Sequence, residues 1–237
     1  MRIRTYRGTV VALTASALLL TAACGGPSDG KDGGGGPDGG RGTGQKPASA
    51  PLTEAQMKAG LLEAGDLPAG WKVGTTMPAE GRPKAEKPEC QPLATLMSAE
   101  VEGTTKGGER DFRGPGDSVL AQMVLTYPDR AGAAAFVKGL DGAVGRCRSF
   151  TTVQDGRRMS VAAEELTAPK VGEEAFAVRL TMDIPQLGMV LKTDVLVARQ
   201  GAGITRLGYL PGAEPDPAAF EDLAKRGGDK FAEGARS

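Results

Sequence analysis

Histidine and asparagine are absent from the 237-residue chain, and aromatic residues make up only 4% of it, with a single tryptophan. Without histidine, a serine or cysteine nucleophile lacks its usual base, and a zinc site loses its commonest nitrogen ligand. Cysteine is scarce too: there are three, with no CxxC spacing, which argues against a redox or metal-binding thiol pair. An excess of either charge is missing, since 29 basic residues balance 29 acidic ones and the basic ones are scattered. Scattered cations with few aromatics speak against a nucleic-acid-binding surface. No apolar run reaches the roughly 20 residues of a transmembrane helix. The chain is therefore expected to be no enzyme, with no cofactor, no metal and no nucleic-acid partner.

The N-terminus carries the strongest signal. Arg2, Arg4 and Arg7 precede the apolar run Thr9–Leu20, and Thr21-Ala22-Ala23-Cys24-Gly25 follows. A basic region, a short apolar core and small residues before a cysteine describe an exported leader. Ala22-Ala23-Cys24 resembles the bacterial lipobox, which implies cleavage after Ala23 and a diacylglycerol thioether on Cys24. Thr21 stands where that motif usually has leucine. The alternative is an ordinary secretory signal with an incidental cysteine. Lipidation would remove the odd thiol and leave Cys90 and Cys147 as a pair. Each buried acyl methylene contributes about 0.8 kcal/mol, so two chains anchor where one would not. The protein is thus expected on the outer face of the cell membrane, with residues 1–23 as leader.

Residues 24–50 form the next segment. Its 11 glycines and lack of aromatic or large aliphatic side chains read as a flexible tether with a reach of roughly 25–30 Å. Residues 51–237 are long enough for one domain with its own core. Thr53-x-x-Gln56 is a capping box opening a short helix, and an extended stretch follows Trp71. Residues 78–89 read as a loop, and Leu93, Leu96, Met97 and Val101 keep helical spacing after Cys90. Residues 118–127 alternate as a strand buried partly on both faces. Asp129 then caps a helix over 129–147 with the stripe Phe136, Leu140, Val144. Strands near 149–154, 158–166, 173–184, 188–200 and 204–210 follow, joined by short turns that require antiparallel pairing. Asp216-Pro217 starts a final helix. The expected fold is α+β: one curved antiparallel sheet with helices packed on one face.

Few residues of the domain carry chemistry. In an oxidising compartment Cys90 and Cys147 most often pair as a disulfide. Glu164-Glu165 and Glu173-Glu174 read as solvated surface charge rather than a glycosidase pair. Gly201-Ala-Gly-Ile-Thr-Arg-Leu-Gly208 lies between strands, so it reads as a hairpin and not a nucleotide loop. Trp71, Tyr127 and Tyr209 are amphipathic aromatics suited to lining a cleft, with Arg179 and Lys192 as charged contacts. Their bland alternative is core edges and cross-strand pairs.

An ordered set of features resembles the PknH-type extracellular sensor domain found on actinobacterial receptors and lipoproteins. It comprises Asp66-Leu-Pro-Ala-Gly-Trp71, Cys90, Tyr127-Pro-Asp129, the Ala-rich helix leading to Cys147, Phe150, Gly172-Glu-Glu-Ala175 and Asp194 to Gly201. The family commonly has two disulfides, and this domain has cysteines for one. The resemblance implies an α+β domain with a cleft and a bound ligand, and it transfers no catalytic residue. The functional expectation is a non-catalytic ligand-binding or sensor module for a small-molecule, lipid or envelope ligand. The alternative is an assembly partner of an envelope protein complex, in the manner of Mog1/PsbP-like accessory proteins.

Overall fold

Apolar alternation along the second half of the chain is realised as one antiparallel sheet. The structure, a computed structural model, describes residues 50–75, 81–212 and 217–237, all within one compact unit. The leader, Cys24, nearly all of the tether and the capping role of Asp216 lie outside the described residues. The strands are β1 (Lys72–Val73), β2 (Lys84–Ala85), β3 (Thr105–Arg113), β4 (Val119–Thr126), β5 (Ser149–Gln154), β6 (Arg157–Leu166), β7 (Glu174–Ile184), β8 (Met189–Gln200) and β9 (Gly203–Leu210). Their order is β1-β3-β4-β9-β8-β7-β6-β5-β2. The meander β5 to β9 closes against the β3–β4 hairpin through β4 and β9, where Met123 stands opposite Arg206 and Ala121 opposite Gly208.

Four helices, α1 (Glu54–Ala59), α2 (Gln91–Thr95), α3 (Arg130–Val144) and α4 (Pro217–Arg236), cover the sheet. The α+β class and the antiparallel sheet are as expected, but the helices lie on both faces rather than one. Val195 and Val197 of β8 pack with Leu140 and Val144 of α3, while Leu196 and Ala198 pack with Phe220 and Leu223 of α4. A strand that is apolar at every position must be covered on both sides, and Val195–Ala198 is such a run. Burying each large side chain of this kind contributes about 1.5–3 kcal/mol.

Local chemistry sets the helix starts. Thr53 accepts from the Gln56 backbone while the Gln56 side chain accepts from the Thr53 backbone, and Asp129 accepts from Gly132. The far end of α1 is tied to the sheet by the buried amide of Gln122. It accepts from Leu62 N at 2.7 Å and donates to Gly60 O at 3.1 Å and Thr205 Oγ1 at 3.2 Å.

Two strands are absent from the sequence reading. β3 has a single buried side chain, Phe112. A Cβ on Gly107 or Gly108 would meet Met57 or Leu61 within 3 Å, so these glycines let α1 approach the strand backbone closely. β2 is a two-residue edge strand inside the expected loop at 78–89.

Candidate functional site

The two cysteines meet as expected. Cys90 and Cys147 form a disulfide with Cα atoms 5.7 Å apart. It joins the start of α2 to the end of α3 and lies in the core between these helices and the sheet. This helical layer packs on β6 to β8 and, through Ala133 and Phe136, against Met123 and Leu125 of β4 and Ile204 of β9.

Beyond the layer, a cavity of about 470 Å³ opens on the same face. Its floor consists of rows fixed by strand register. Val119 stands opposite Leu210, Ala121 opposite Gly208, and Met123 opposite Arg206; Gly208 also faces Val195 on β8. Leu96 and Met97, just past α2, form one wall, and Met189 and Leu191 at the start of β8 form another. The bare Ala121–Gly208 row makes the hollow. A Cβ on Gly208 would meet only Thr193 Cγ2 within 4 Å, at 3.7 Å, so the missing side chain leaves space rather than relieving a clash.

The half-buried Arg206 lines this cavity. Its guanidinium donates to Thr95 O at 3.2 Å and lies 3.8 Å from Met123 Sδ. Burial pushes it down to about 10, a fall opposed by the charge of Glu109, and it stays a cation at neutral pH. Glu109, at the cavity edge, pairs with Lys106 at 2.5 Å. The exposed Arg113, also at the edge, donates to Thr75 O at 3.3 Å. Asp111 shares this face opposite Ala121 without lining the cavity.

The five residues read from the sequence as cleft candidates are placed elsewhere. Trp71 and Tyr209 come together, with ring centroids 6.4 Å apart, on the face covered by α4. Arg179 is on that face as well, bound to Asp194 at 2.6 and 2.7 Å. Hydrogen bonds to Asp194 raise its pKa above the ordinary value, against the effect of burial. Lys192 is exposed on β8 beside Thr181. Tyr127 is buried against Phe136, at 6.1 Å between centroids, and lines a separate hollow of about 380 Å³ between α2 and α3. None of the five lines the 470 Å³ cavity.

The acid pairs also part ways. Glu173 and Glu174 are not simply solvated, because both hold the buried Arg199, at 2.5 and 2.7 Å. Burial pulls the Arg199 guanidinium down, but hydrogen bonds and charge from the two glutamates outweigh it and the net shift is upward. Arg130 at the start of α3 reaches Glu173 at 3.1 Å. Gly172, at φ +62°, permits the turn that brings these acids over the strand end; a Cβ there would lie 2.5 Å from Arg199 O. Among the described residues no group of three or more His, Cys, Asp or Glu side chains is placed to hold a metal ion.

Sequence reasoning missed Arg206. Its signal is a charged residue in phase with Ile204 and Leu210 on a strand whose neighbours are apolar on both faces.

No family model matches the chain, and no curated protein sequence matches it. Among solved structures, the extracellular domain of PknH from Mycobacterium tuberculosis is similar in fold, with a TM-score of 0.52 at 15% identity, covering 77% of this chain and 98% of that one. An uncharacterised protein of Mycobacterium smegmatis aligns with a TM-score of 0.39 at 12% identity, covering 78% of this chain and 98% of that one.

Proposed function

We propose that this chain is a lipid-anchored, extracytoplasmic ligand-binding or sensor module, non-catalytic, that takes its ligand in the cavity beside Arg206. The observation that carries the reading is the cavity itself. About 470 Å³ of space with a mostly apolar wall and a few convergent polar groups fits the size and chemistry of small-molecule sites. The fold likeness to the extracellular domain of PknH, the Cys90–Cys147 bridge and the lipobox-like Ala22-Ala23-Cys24 support a location outside the membrane.

The test is a thermal-shift survey of the full chain against envelope lipids, glycans and peptides, repeated with Gly208→Val, which fills the floor. A ligand at 100 times its Kd stabilises by about 2.7 kcal/mol, or roughly 5–10 °C in a domain of this size. The expected result is a shift for one class that Gly208→Val abolishes. A survey with no shift, or a shift that survives the filling, refutes the reading. Co-purification of a stable protein partner without a small ligand would favour the assembly role instead. The anchor has its own test: acyl labelling and membrane fractionation should both be lost in Cys24→Ala, and retention of either removes the lipid from the proposal.

A further inference from the structure

We propose that the cavity binds a single-chain amphiphile whose anionic head meets Arg206 and whose aliphatic tail lies on the Ala121–Gly208 floor and leaves past the β7–β8 hairpin. The inference rests on the ligand-binding reading above and names the ligand class for that site.

Three observations converge. First, the arginines of this sheet differ in how they are satisfied. Arg179 is held by both oxygens of Asp194, and Arg199 is held by Glu173 and Glu174. Arg206 has no carboxylate within 4.0 Å among the described residues; its partners are one carbonyl and one thioether. A guanidinium has five N–H donors in a planar fork that matches carboxylate and phosphate oxygens. Two partners, one of them a weak sulfur acceptor, leave part of that fork toward the cavity. The depressed pKa of Arg206 records a cost of burial that the charge of Glu109, too far away to bond, does not cancel, and an anionic ligand bonded to the guanidinium would oppose it further.

Second, the rest of the space is mostly apolar, with Gln122 and Thr193 as its other polar lining residues besides Glu109 and Arg113 at the edge. Leu96, Met97, Met123, Leu191 and Val195 surround the floor where Gly208 lacks a side chain. A sugar or a peptide backbone in such a place would lose hydrogen bonds to water without replacement, whereas a hydrocarbon chain gains from the same burial. The other charges at the edge favour a single negative charge. Glu109 is committed to Lys106, and Arg113 is exposed at the margin.

Third, the cavity ends at an exposed apolar tip. Leu187, Met189 and Val190 in and beside the β7–β8 turn are 54%, 44% and 66% exposed, and Met189 also lines the cavity. Exposed large apolar side chains gathered at the mouth of a hollow mark an interaction site. Here Met189, with Leu187 beside it in the turn, extends the tail path out of the cavity, while Val190, out of phase with Met189 and Leu191, takes the other face of the strand.

The test is calorimetric titration of the full chain carrying Cys24→Ser, so that no acyl chain of its own competes. The probes are decanoate, monodecyl phosphate, decanol and decyltrimethylammonium. Decanoate or monodecyl phosphate should bind roughly tenfold or more tighter than decanol, as loss of a charge-assisted hydrogen bond implies, and the cation should not bind. The tighter of the two anions identifies the head group. Arg206→Met keeps side-chain bulk and should bring the anions down to the affinity of decanol while leaving decanol unchanged. Gly208→Val should weaken every chain. Equal affinity for decanoate, monodecyl phosphate and decanol, or an Arg206→Met protein that binds the anions as before, overturns the anionic head. Failure of all four probes overturns the amphiphile. In that case a thermal shift from a glycan or peptide that Gly208→Val abolishes still sustains the broader ligand-binding reading.

Discussion

Reducing the Cys90–Cys147 bridge should lower the stability of the domain by about 4 kcal/mol. The two cysteines are 57 positions apart, and in the chain-entropy treatment a loop of that length loses about 14 cal/mol/K when closed, which is about 4 kcal/mol at 25 °C. That is a large share of the roughly 5–15 kcal/mol by which domains are stable. Both cysteines are buried, at 1% and 0% exposure, in the core under α2 and α3. Once reduced they remain there as small apolar groups, so packing is retained and the loss falls on the unfolded state. The assay is urea unfolding followed by the fluorescence of Trp71, the one tryptophan of the chain, with protein refolded with and without reductant. With a slope of about 2 kcal/mol/M, the midpoint should fall by roughly 2 M. Replacing both cysteines by alanine also removes buried sulfur, and that variant should be less stable than the reduced protein. A midpoint that moves by less than about 0.5 M on reduction, or a double-alanine protein equal to the reduced one, would refute the reasoning.

Asp194→Ala leaves Arg179 without its carboxylate in a site where the aspartate side chain is 6% and the arginine 32% exposed. The loss should be about 2–3 kcal/mol, below that of a fully buried pair because Arg179 retains water; Arg179→Met with Asp194→Leu should recover most of it in the same unfolding assay. A double variant no better than Asp194→Ala would show that the site needs charge and not merely packing. Tyr127 predicts an alkaline effect. Burial pushes its phenol up to about 12 from 10.0, so between these values the folded chain holds a proton that the unfolded chain has released. Stability is complete below pH 10 and falls as pH rises toward 12, by an amount on the order of 2 kcal/mol. Tyr127→Phe should flatten that part of the curve, and an unchanged slope between pH 10 and 12 would remove the assignment.

Where the sequence spoke through period, the structure agrees. The alternation of Phe176, Val178 and Leu180, the stripe on α3 and the Thr53–Gln56 box all became the elements they encode. Placement across the sheet was harder, because the run Val195–Ala198 shows that both faces are covered only when it is weighed as a continuous apolar stretch. β3 was illegible for a different reason. Apart from Phe112 its residues are polar or glycine, and it is held by α1 lying across Gly107 and Gly108, a contact that local pattern does not encode.

The candidate site was missed for a reason that follows from what a cavity is. Large amphipathic residues stand out in a sequence, but Trp71, Tyr209 and Tyr127 lie where large apolar rings gain most, against the core. Cavities form where side chains are small, and Ala121 and Gly208, far apart in sequence, make one only because β4 and β9 pair in a register that sets them opposite each other. Singly, each reads as a weak spot in a strand. The same register puts Arg206 one row away, while Asp194 and Glu174, on the same sheet, pair with Arg179 and Arg199. A strand arginine beside an aspartate or glutamate is satisfied by the fold. One whose neighbours in register are Met123 and Val197 has no anion on either flank. Such a residue weakens the fold relative to an apolar one of the same size, and this stability cost is the physical reason to look for its anion in a ligand.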